Sequence, residues 1–379
     1  MKDTIRKKQG ILMMFLFIFG SVPVEEIYYP SRQDVWFTII MAAVPAFLMA
    51  LIYSRTMSLN PGCSLFEILR NCFGKIAGNI ITVAYVLFFV YTCGSTVRML
   101  CVFVFENALP HTPAYVIAIP ACLLAAWMGS LDMYKLSRGI VISAFILLFA
   151  FFLTVPNTLP ATNFNNMFPM LQSKKEYMLH DAIYFYTIPL SQTVVFMCLL
   201  DKTEDTKARR SSFIFGMLMG VSFLILVLLR SVMIFDSESM GTLPFRIYNA
   251  VTALHSRGIA QRIELVIAGI FLMSTIGKLA IIFHSAARGG AAVFPKLKPK
   301  HIIFVLAAAA FIVSLFIFES EYEAFNAYYM DNLVPLPFQT VIPILLWIIS
   351  EIKRLVQKHR EKKNGGNANI GTVSEQPAN

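Results

Sequence analysis

Apolar residues along this chain come in runs close to or above twenty, separated by short polar stretches that hold most of the charge. A run of that length crosses a hydrocarbon core of roughly 30 Å as a helix rising about 1.5 Å per residue. The segments 140–152 and 302–318 lack the alternation that strands of a membrane barrel need, so the spans are predicted as helices. Ten are predicted, at about 10–29, 34–54, 76–105, 113–130, 139–157, 180–200, 211–235, 263–284, 301–319 and 333–351. The pattern is that of an all-α polytopic membrane protein, with one transmembrane domain over 1–356 and a disordered tail over 357–379, which is basic and then rich in Gly and Asn.

Two linkers carry helical spacing of their own. In 57–75, Leu65, Ile68, Leu69, Cys72 and Phe73 share a face, which predicts a helix lying along the inner membrane surface. In 236–261, Phe245, Ile247, Ala250, Val251 and Leu254 do the same, which predicts a short external helix.

The first and sixth spans differ from the rest. The first contains Gly20-Ser21-Val22-Pro23, with Glu25-Glu26 just beyond, and the sixth contains Tyr186-Thr187-Ile188-Pro189-Leu190-Ser191-Gln192. Proline lacks a backbone donor and clashes with the preceding turn, so both stretches are predicted to be kinked or unwound. Such backbone is tolerated at membrane depth only where protein or a water-filled cavity satisfies it. These spans open two five-span halves, at about 9–157 and 180–351, which an odd span number inverts relative to each other. Matching interruptions in inverted halves point to a midplane binding site. An ordinary packed kink at each proline is the competing reading. The candidate ligand-binding residues are Gly20, Ser21, Val22, Pro23, Gly94, Tyr186, Ile188, Pro189, Ser191, Gln192 and Ser274.

Composition agrees with a membrane bundle: 57% of the 379 residues are hydrophobic and 14% charged, against about 25% charged in soluble domains. The net charge of +10 reflects topology. Of 32 Lys and Arg, 23 fall on the side of the N-terminus, six on the other side and three within spans. That bias places both termini in the cytoplasm and favours anionic membrane lipid as a partner. Basic residues flank spans and form no single patch, which argues against nucleic acid. The basic N-terminus before an apolar run resembles a secretory signal, but Tyr28-Tyr29-Pro30 follows in place of a small-residue cleavage site, so the segment is expected to stay as the first span. Tyr28, Tyr29, Tyr328 and Tyr329 fit an interfacial belt. The six cysteines show no Cys-x-x-Cys pair and are expected to be free thiols.

Three cations lie within spans: Arg98, Arg230 and Lys278. A buried ammonium faces the bundle interior with a partner, whereas one near a span end reaches the headgroups along its own stem. Both readings stay open for Lys278, and for Arg98 and Arg230 the second is the stronger. No second ligand accompanies His180 or His284 at metal spacing, and neither a phosphate loop nor a nucleophile–base set is legible. No cofactor, metal or enzymatic activity is therefore expected.

Ile5 through Gln9-Gly10, Asp34-Val35-Trp36, Ser64-Leu65-Phe66-Glu67 and Phe73-Gly74-Lys75 follow one another in an order that resembles the spore germination permeases. Arg98, Leu109-Pro110-His111-Thr112-Pro113, Gly129-Ser130-Leu131-Asp132 and Arg138 continue the resemblance, as do Asn163 through Pro169 and Arg262 to Glu264. These permeases are the B subunits of GerA-type germinant receptors, within the amino acid–polyamine–organocation superfamily. The resemblance implies a LeuT-like five-plus-five inverted repeat with a ligand pocket between spans one, three, six and eight. It also implies a small germinant (amino acid, sugar or nucleoside), A-type and lipoprotein C-type subunits as partners, and residence in the spore inner membrane. A proton-coupled amino acid permease of the same superfamily is the alternative, and a structural subunit with a vestigial pocket the third reading. The chain departs from the family pattern at Gly20 to Glu25, where a Gly-x-Gly-like stretch ending in Leu-Pro is usual, and at Gln192, where an acidic residue is frequent. In several transporters of this fold the eighth span helps hold a sodium ion against the first, so the resemblance gives Lys278 the role of an ion substitute or coupling residue, bonded to first-span carbonyls near Gly20 to Val22. Arg98 is carried over as a structural or functional charge.

The charge bias makes a topology prediction. Cysteines placed at Leu109 and Phe325 label from outside in sealed cells, and cysteines in the tail do not. Labelling of the tail alone reverses the orientation.

Overall fold

The computed structural model of the chain describes residues 4–26, 29–203, 205–252, 260–317 and 333–370. Tyr28, Tyr328, Tyr329, the loop 320–332, residues 253–259 of the second linker and the tail from 371 lie outside the described residues, as do the side chains of Arg262 and Glu264.

The first span is α1 (Lys7–Phe19) followed by the short α2 (Val22–Glu25), and the second is α3 (Val35–Leu59). The amphipathic α4 (Leu65–Phe73) leads into α5 (Lys75–Asn107), α6 (Ala114–Gly129) and α7 (Met133–Thr158), the last spans of the first half. The sixth span is α8 (Lys175–Phe185), an irregular turn, and a 3₁₀ helix over Ser191–Cys198. Then come α9 (Thr206–Ile234), the short α10 (Ser237–Thr242) and α11 (Arg246–Thr252), α12 (Ala260–Val293), α13 (Pro299–Phe316) and α14 (Ile342–Ile370). Seven of these passes are long and apolar enough to cross a membrane by themselves. The 16-residue α6, the interrupted sixth span and the last helix complete the ten passes predicted from hydropathy.

Burial separates the axis of the bundle from its rim. The first span has 78% of its apolar window buried within the protein, and α13 only 28%. Val305, Ile312 and Phe316 on α13, like Phe145, Phe149 and Phe152 on α7, face outward as lipid-contacting residues. The axial helix is held close to α9 by small residues. A Cβ on Gly216 would sit 2.7 Å from the Met14 Cβ, and one on Gly220 2.9 Å from Ile18. Lipid tails give apolar surfaces no reason to associate, so the closeness that glycine permits provides the dispersion contact between these helices.

The linkers follow their local chemistry. Glu67 accepts from the Ser64 N–H (2.7 Å) and hydroxyl (2.8 Å), capping α4. Gly74 turns the chain into α5 at φ 83°, a left-handed conformation costly for other residues. The single external helix predicted over 236–261 is instead two, α10 and α11. Pro244 supplies no donor and Phe245 takes a positive φ of 50°, so the helix breaks between them. Asp236 caps α10, and the Ser239 hydroxyl and N–H hold its carboxyl below the usual range. The last helix runs to Ile370, into the stretch where composition predicts disorder. Its residues 351–363 are mostly Glu, Lys, Arg, Gln and other good helix formers.

The α1–α9 contact predicts that Gly216→Leu lowers the melting temperature in detergent, by an overpacking cost of about 1–3 kcal/mol. Gly139→Leu, where an added Cβ meets nothing within 4 Å, leaves it unchanged.

Candidate functional site

The first span breaks because two residues end one helix and start another. The Gly20 N–H closes the last turn of α1 on the Leu16 carbonyl at 2.6 Å. Pro23 has no N–H to offer the Phe19 carbonyl, and the chain restarts from Ser21, whose carbonyl accepts from Val24 (2.9 Å) and Glu25 (2.8 Å). Thr275 on α12 reaches the Gly20 carbonyl with its hydroxyl at 3.4 Å.

Lys278, also on α12, is fully buried at this break. Its ammonium donates to Ser21 Oγ at 2.7 Å and to Glu25 Oε2 at 2.8 Å, and lies 5.5 Å from the centre of the Phe17 ring. Glu25 is equally enclosed, with 1% of its surface exposed. Its Oε2 also accepts from the Ser21 hydroxyl (2.5 Å), its Oε1 accepts from Thr96 of α5 (2.5 Å), and its backbone carbonyl accepts from Tyr184 of α8 (2.7 Å). The expected carbonyl cradle for Lys278 is thus replaced by a carboxylate and a hydroxyl. The physical reason is charge: a buried ammonium is better compensated by a full negative charge than by dipoles.

The sixth span opens at Ile188, whose φ of −137° and ψ of 110° leave the helical region. Residues before proline are steered that way by the ring. The tenth span supports this break: Gln339 Nε2 donates to the Thr187 carbonyl (3.1 Å), and Tyr186 shares a hydrogen bond with Thr340 (2.7 Å). Tyr85 and Tyr53 donate to the carbonyls of Phe338 and Gln339. Ser191 Oγ and Gln192 Oε1, just past the break, and Ser95 Oγ on α5 are buried with no hydrogen-bond partner among the described residues. Buried polar atoms are nearly always satisfied in native proteins, which marks these three as candidate ligand contacts. Phe17 joins the two breaks: it lies below the ammonium and packs edge-on against Phe196 of the 3₁₀ helix, centroids 5.3 Å apart.

The sequence candidates therefore divide into groups. Gly20, Ser21, Ser274 and Lys278 meet at the first break, where a Cβ on Gly20 would be 3.2 Å from that of Ser274, whose hydroxyl donates to Ile270. Val22 and Pro23 form the buried start of α2. Tyr186, Ile188, Pro189, Ser191 and Gln192 gather at the second break. Gly94 belongs to neither: its α-carbon faces Val313 and Ala310 of α13, where the missing Cβ admits close helix packing. Arg98 lies elsewhere too, lining a cavity of about 270 Å³ with Phe105, His111 and Thr112. Glu25 and Thr96 were not among the candidates. Glu25 had a signal, since a buried lysine requires an anion and this one directly follows the broken stretch. Thr96 had none.

Ion pairs tie the bundle on either side of the breaks. Toward α11, Glu26 accepts from Arg246 Nε (3.2 Å) and the Ile247 N–H (2.8 Å), both side chains fully buried, and the guanidinium stacks 4.2 Å over Tyr29. Asp34 accepts from the N–H groups of Leu171 (2.7 Å) and Ser173 (3.0 Å), and Asp181 from that of Ser31 (3.0 Å). On the N-terminal side, Arg288 grips Asp201 with two bonds of 2.8 and 2.6 Å. All six cysteines are free thiols.

A family model described as "Spore germination protein" matches residues 4–323. The spore germination protein YndE of Bacillus subtilis is 21% identical over 367 residues, 94% of this chain and 98% of the relative. Among solved structures, the nucleobase-cation-symport-1 family transporter MHP1, closed with bromovinylhydantoin bound, is similar with a TM-score of 0.65 and 14% identity, over 86% of this chain and 75% of its own. A Na⁺-coupled sialic acid symporter in a substrate-bound outward-open state gives a TM-score of 0.67 and 13% identity, over 90% and 79%. At that identity the two structures establish the fold, the LeuT-like arrangement of transporters.

The buried pair makes a thermodynamic prediction. Glu25→Gln or Lys278→Met alone leaves an uncompensated charge and costs about 3–5 kcal/mol of stability. The double variant recovers most of that loss. Melting of all four proteins in one detergent measures the coupling, and simple additivity contradicts it.

Proposed function

This chain belongs to the spore germination permease family, and from that premise we propose that it is the B subunit of a nutrient-germinant receptor. A small nutrient binds between the two helix breaks and shifts the conformation that triggers germination. The observation that carries this reading is the pair of broken helices, with Ser191 and Gln192 just past the second presenting buried oxygens that have no hydrogen-bond partner among the described residues. Such groups offer hydrogen-bond partners to a polar ligand. The family resemblance supplies the nutrient class of amino acid, sugar or nucleoside, the A-type and C-type lipoprotein partners, and the spore inner membrane. The distribution of Lys and Arg supports cytoplasmic termini.

Lys278 serves in this proposal as a built-in cation between the eighth and first spans, where several transporters of this fold hold sodium. Its ammonium holds Ser21 and Glu25, at the two ends of the short half-helix, so that half-helix and α12 are linked without a bound ion. The receptor is then sodium-independent. Separation of the first and eighth spans requires the Glu25–Lys278 contact to open, which makes the pair a latch on the conformational change. A working proton-coupled amino acid permease is the second reading. The observation favouring it is that the buried Glu25–Lys278 pair joins the first and eighth spans, and flux of labelled amino acid into proteoliposomes separates the two.

Spores carrying Lys278→Met are expected to keep the protein in the membrane fraction but to lose the nutrient response by about tenfold or more. Wild-type spores respond equally with potassium in place of sodium. A normal response from the variant removes the latch.

A further inference from the structure

The fourth span is shorter than its neighbours, and a hollow follows from that. α6 has 16 residues, about 24 Å at 1.5 Å per residue, against a hydrocarbon core of roughly 30 Å. Its last residue, Gly129, abuts α12. An added Cβ there would lie 2.9 Å from the Ala280 carbonyl oxygen, and the Gly129 carbonyl accepts from His284 Nδ1 at 2.8 Å. From His284, α12 runs on to Val293, about 13 Å further. The Gly129-Ser130-Leu131-Asp132 motif turns the chain into α7 at the level where α6 stops.

The hollow is a cavity of about 220 Å³ beside the starts of α7 and α13 and the last turns of α12. Lys202, His284, Arg288 and Lys300 line it with basic groups, Asp132 with a carboxylate and Ile303 with an apolar side chain. It opens on the side of the N-terminus, where the Lys202 carbonyl accepts from the Ile5 N–H at 3.0 Å. Arg288 is already committed to Asp201 and His284 to Gly129, which leaves two lysines against one carboxylate. Lys300 is the second residue of the 18-residue α13, so the positive end of that helix adds to its charge. No Asp or Glu occurs between Glu264 and Glu319, so neither the last turns of α12 nor α13 brings a carboxylate to Lys300.

That balance selects the ligand. One net positive charge matches a singly charged phosphodiester, whereas a doubly charged phosphate would stand uncompensated beside Asp132. The surroundings select its attachment. Phe304 and Val305, which follow Ile303 on α13, are exposed on the lipid-facing rim, so acyl chains can lie along them while a headgroup enters the cavity.

We propose that the cavity between α6, α7, α12 and α13 is a headgroup site for one anionic phospholipid of the leaflet on the side of the N-terminus. Its phosphodiester is held between Lys202 and Lys300. The lipid ties the end of the sixth span, where Arg288 clasps Asp201, to the start of the ninth. The site is separate from the Lys278 pair and does not depend on the receptor reading.

The test uses the full-length protein in detergent with added phosphatidylglycerol, and native mass spectrometry counts the lipids retained. Wild type is expected to keep one phosphatidylglycerol that the Lys202→Gln/Lys300→Gln double variant loses, and each single variant lowers the apparent affinity about fivefold. Lys207→Gln, at an exposed lysine outside the cavity, keeps the lipid. The melting temperature of wild type rises saturably with phosphatidylglycerol and not with inorganic phosphate at equal ionic strength. Should the double variant not fold, the single variants decide. Equal retention by wild type and the lysine variants overturns the proposal, as does an equal loss in Lys207→Gln, which marks unspecific attraction to the basic face. Protection by inorganic phosphate through the same lysines overturns it in favour of a soluble anion. Glu204 lies outside the described residues, and retention that appears only in Glu204→Gln shows the lysines neutralised by the chain itself and likewise overturns it.

Discussion

A charge buried at membrane depth has to find its opposite inside the protein, and the arrangement around the first break follows from that requirement. Lys278 reaches across from α12, Glu25 descends from the short helix beyond the break, and Ser21 and Thr96 fill the remaining positions on the carboxylate. Ser21 and Glu25 stand one turn apart on the short helix, the Glu25 N–H closing on the Ser21 carbonyl at 2.8 Å, so their side chains share a face. Lys278 reaches that face from α12, and the carboxylate, the hydroxyl and the ammonium share one spot. The pair thereby fastens the short helix beyond the break to α12.

The same logic explains why the axial helix is so deeply enclosed. Backbone groups freed at Gly20 and Pro23 find no partner in lipid, so the interrupted span has to be surrounded by protein. Gly216 and Gly220 let α9 come close on one side, and Thr275 and Lys278 approach on another. The spans that surround it then present Phe, Leu and Ile to the bilayer, where side-chain identity is only loosely constrained.

Hydropathy made the spans legible, and proline placed both breaks, because these are properties of consecutive residues. What escaped was set by partners far apart in the chain. Thr96 touches Glu25 across 71 positions, and nothing local distinguishes it from Thr92, which bonds its own helix. Gly94, a candidate ligand residue, faces α13, and periodicity within a uniformly apolar helix does not reveal which neighbour each face meets. Lys278 was legible as a buried cation. Its anion was visible in the sequence but unassigned, because a carboxylate at a span boundary looks solvated until the outer helices are seen to cover it. The external helix failed as a single unit at Pro244, a breaker that its amphipathic spacing concealed.

The tenth span has a mechanical meaning beyond its packing. Its first turn grips the second break through Gln339 and Thr340. Further along, Asn60 bonds Ser350 at 3.0 Å and Arg55 bonds Glu351 at 2.6 Å, a fulcrum on α3. Beyond that point the helix continues to Ile370, a projecting arm of about 30 Å at 1.5 Å per residue. The portion between Gln339 and the fulcrum is about half as long. A rod pivoted there converts a displacement at the second break into a swing of about twice the size and opposite sense at its far end. A displacement of the polypeptide around Ile188 would reach the far end of such a rod enlarged.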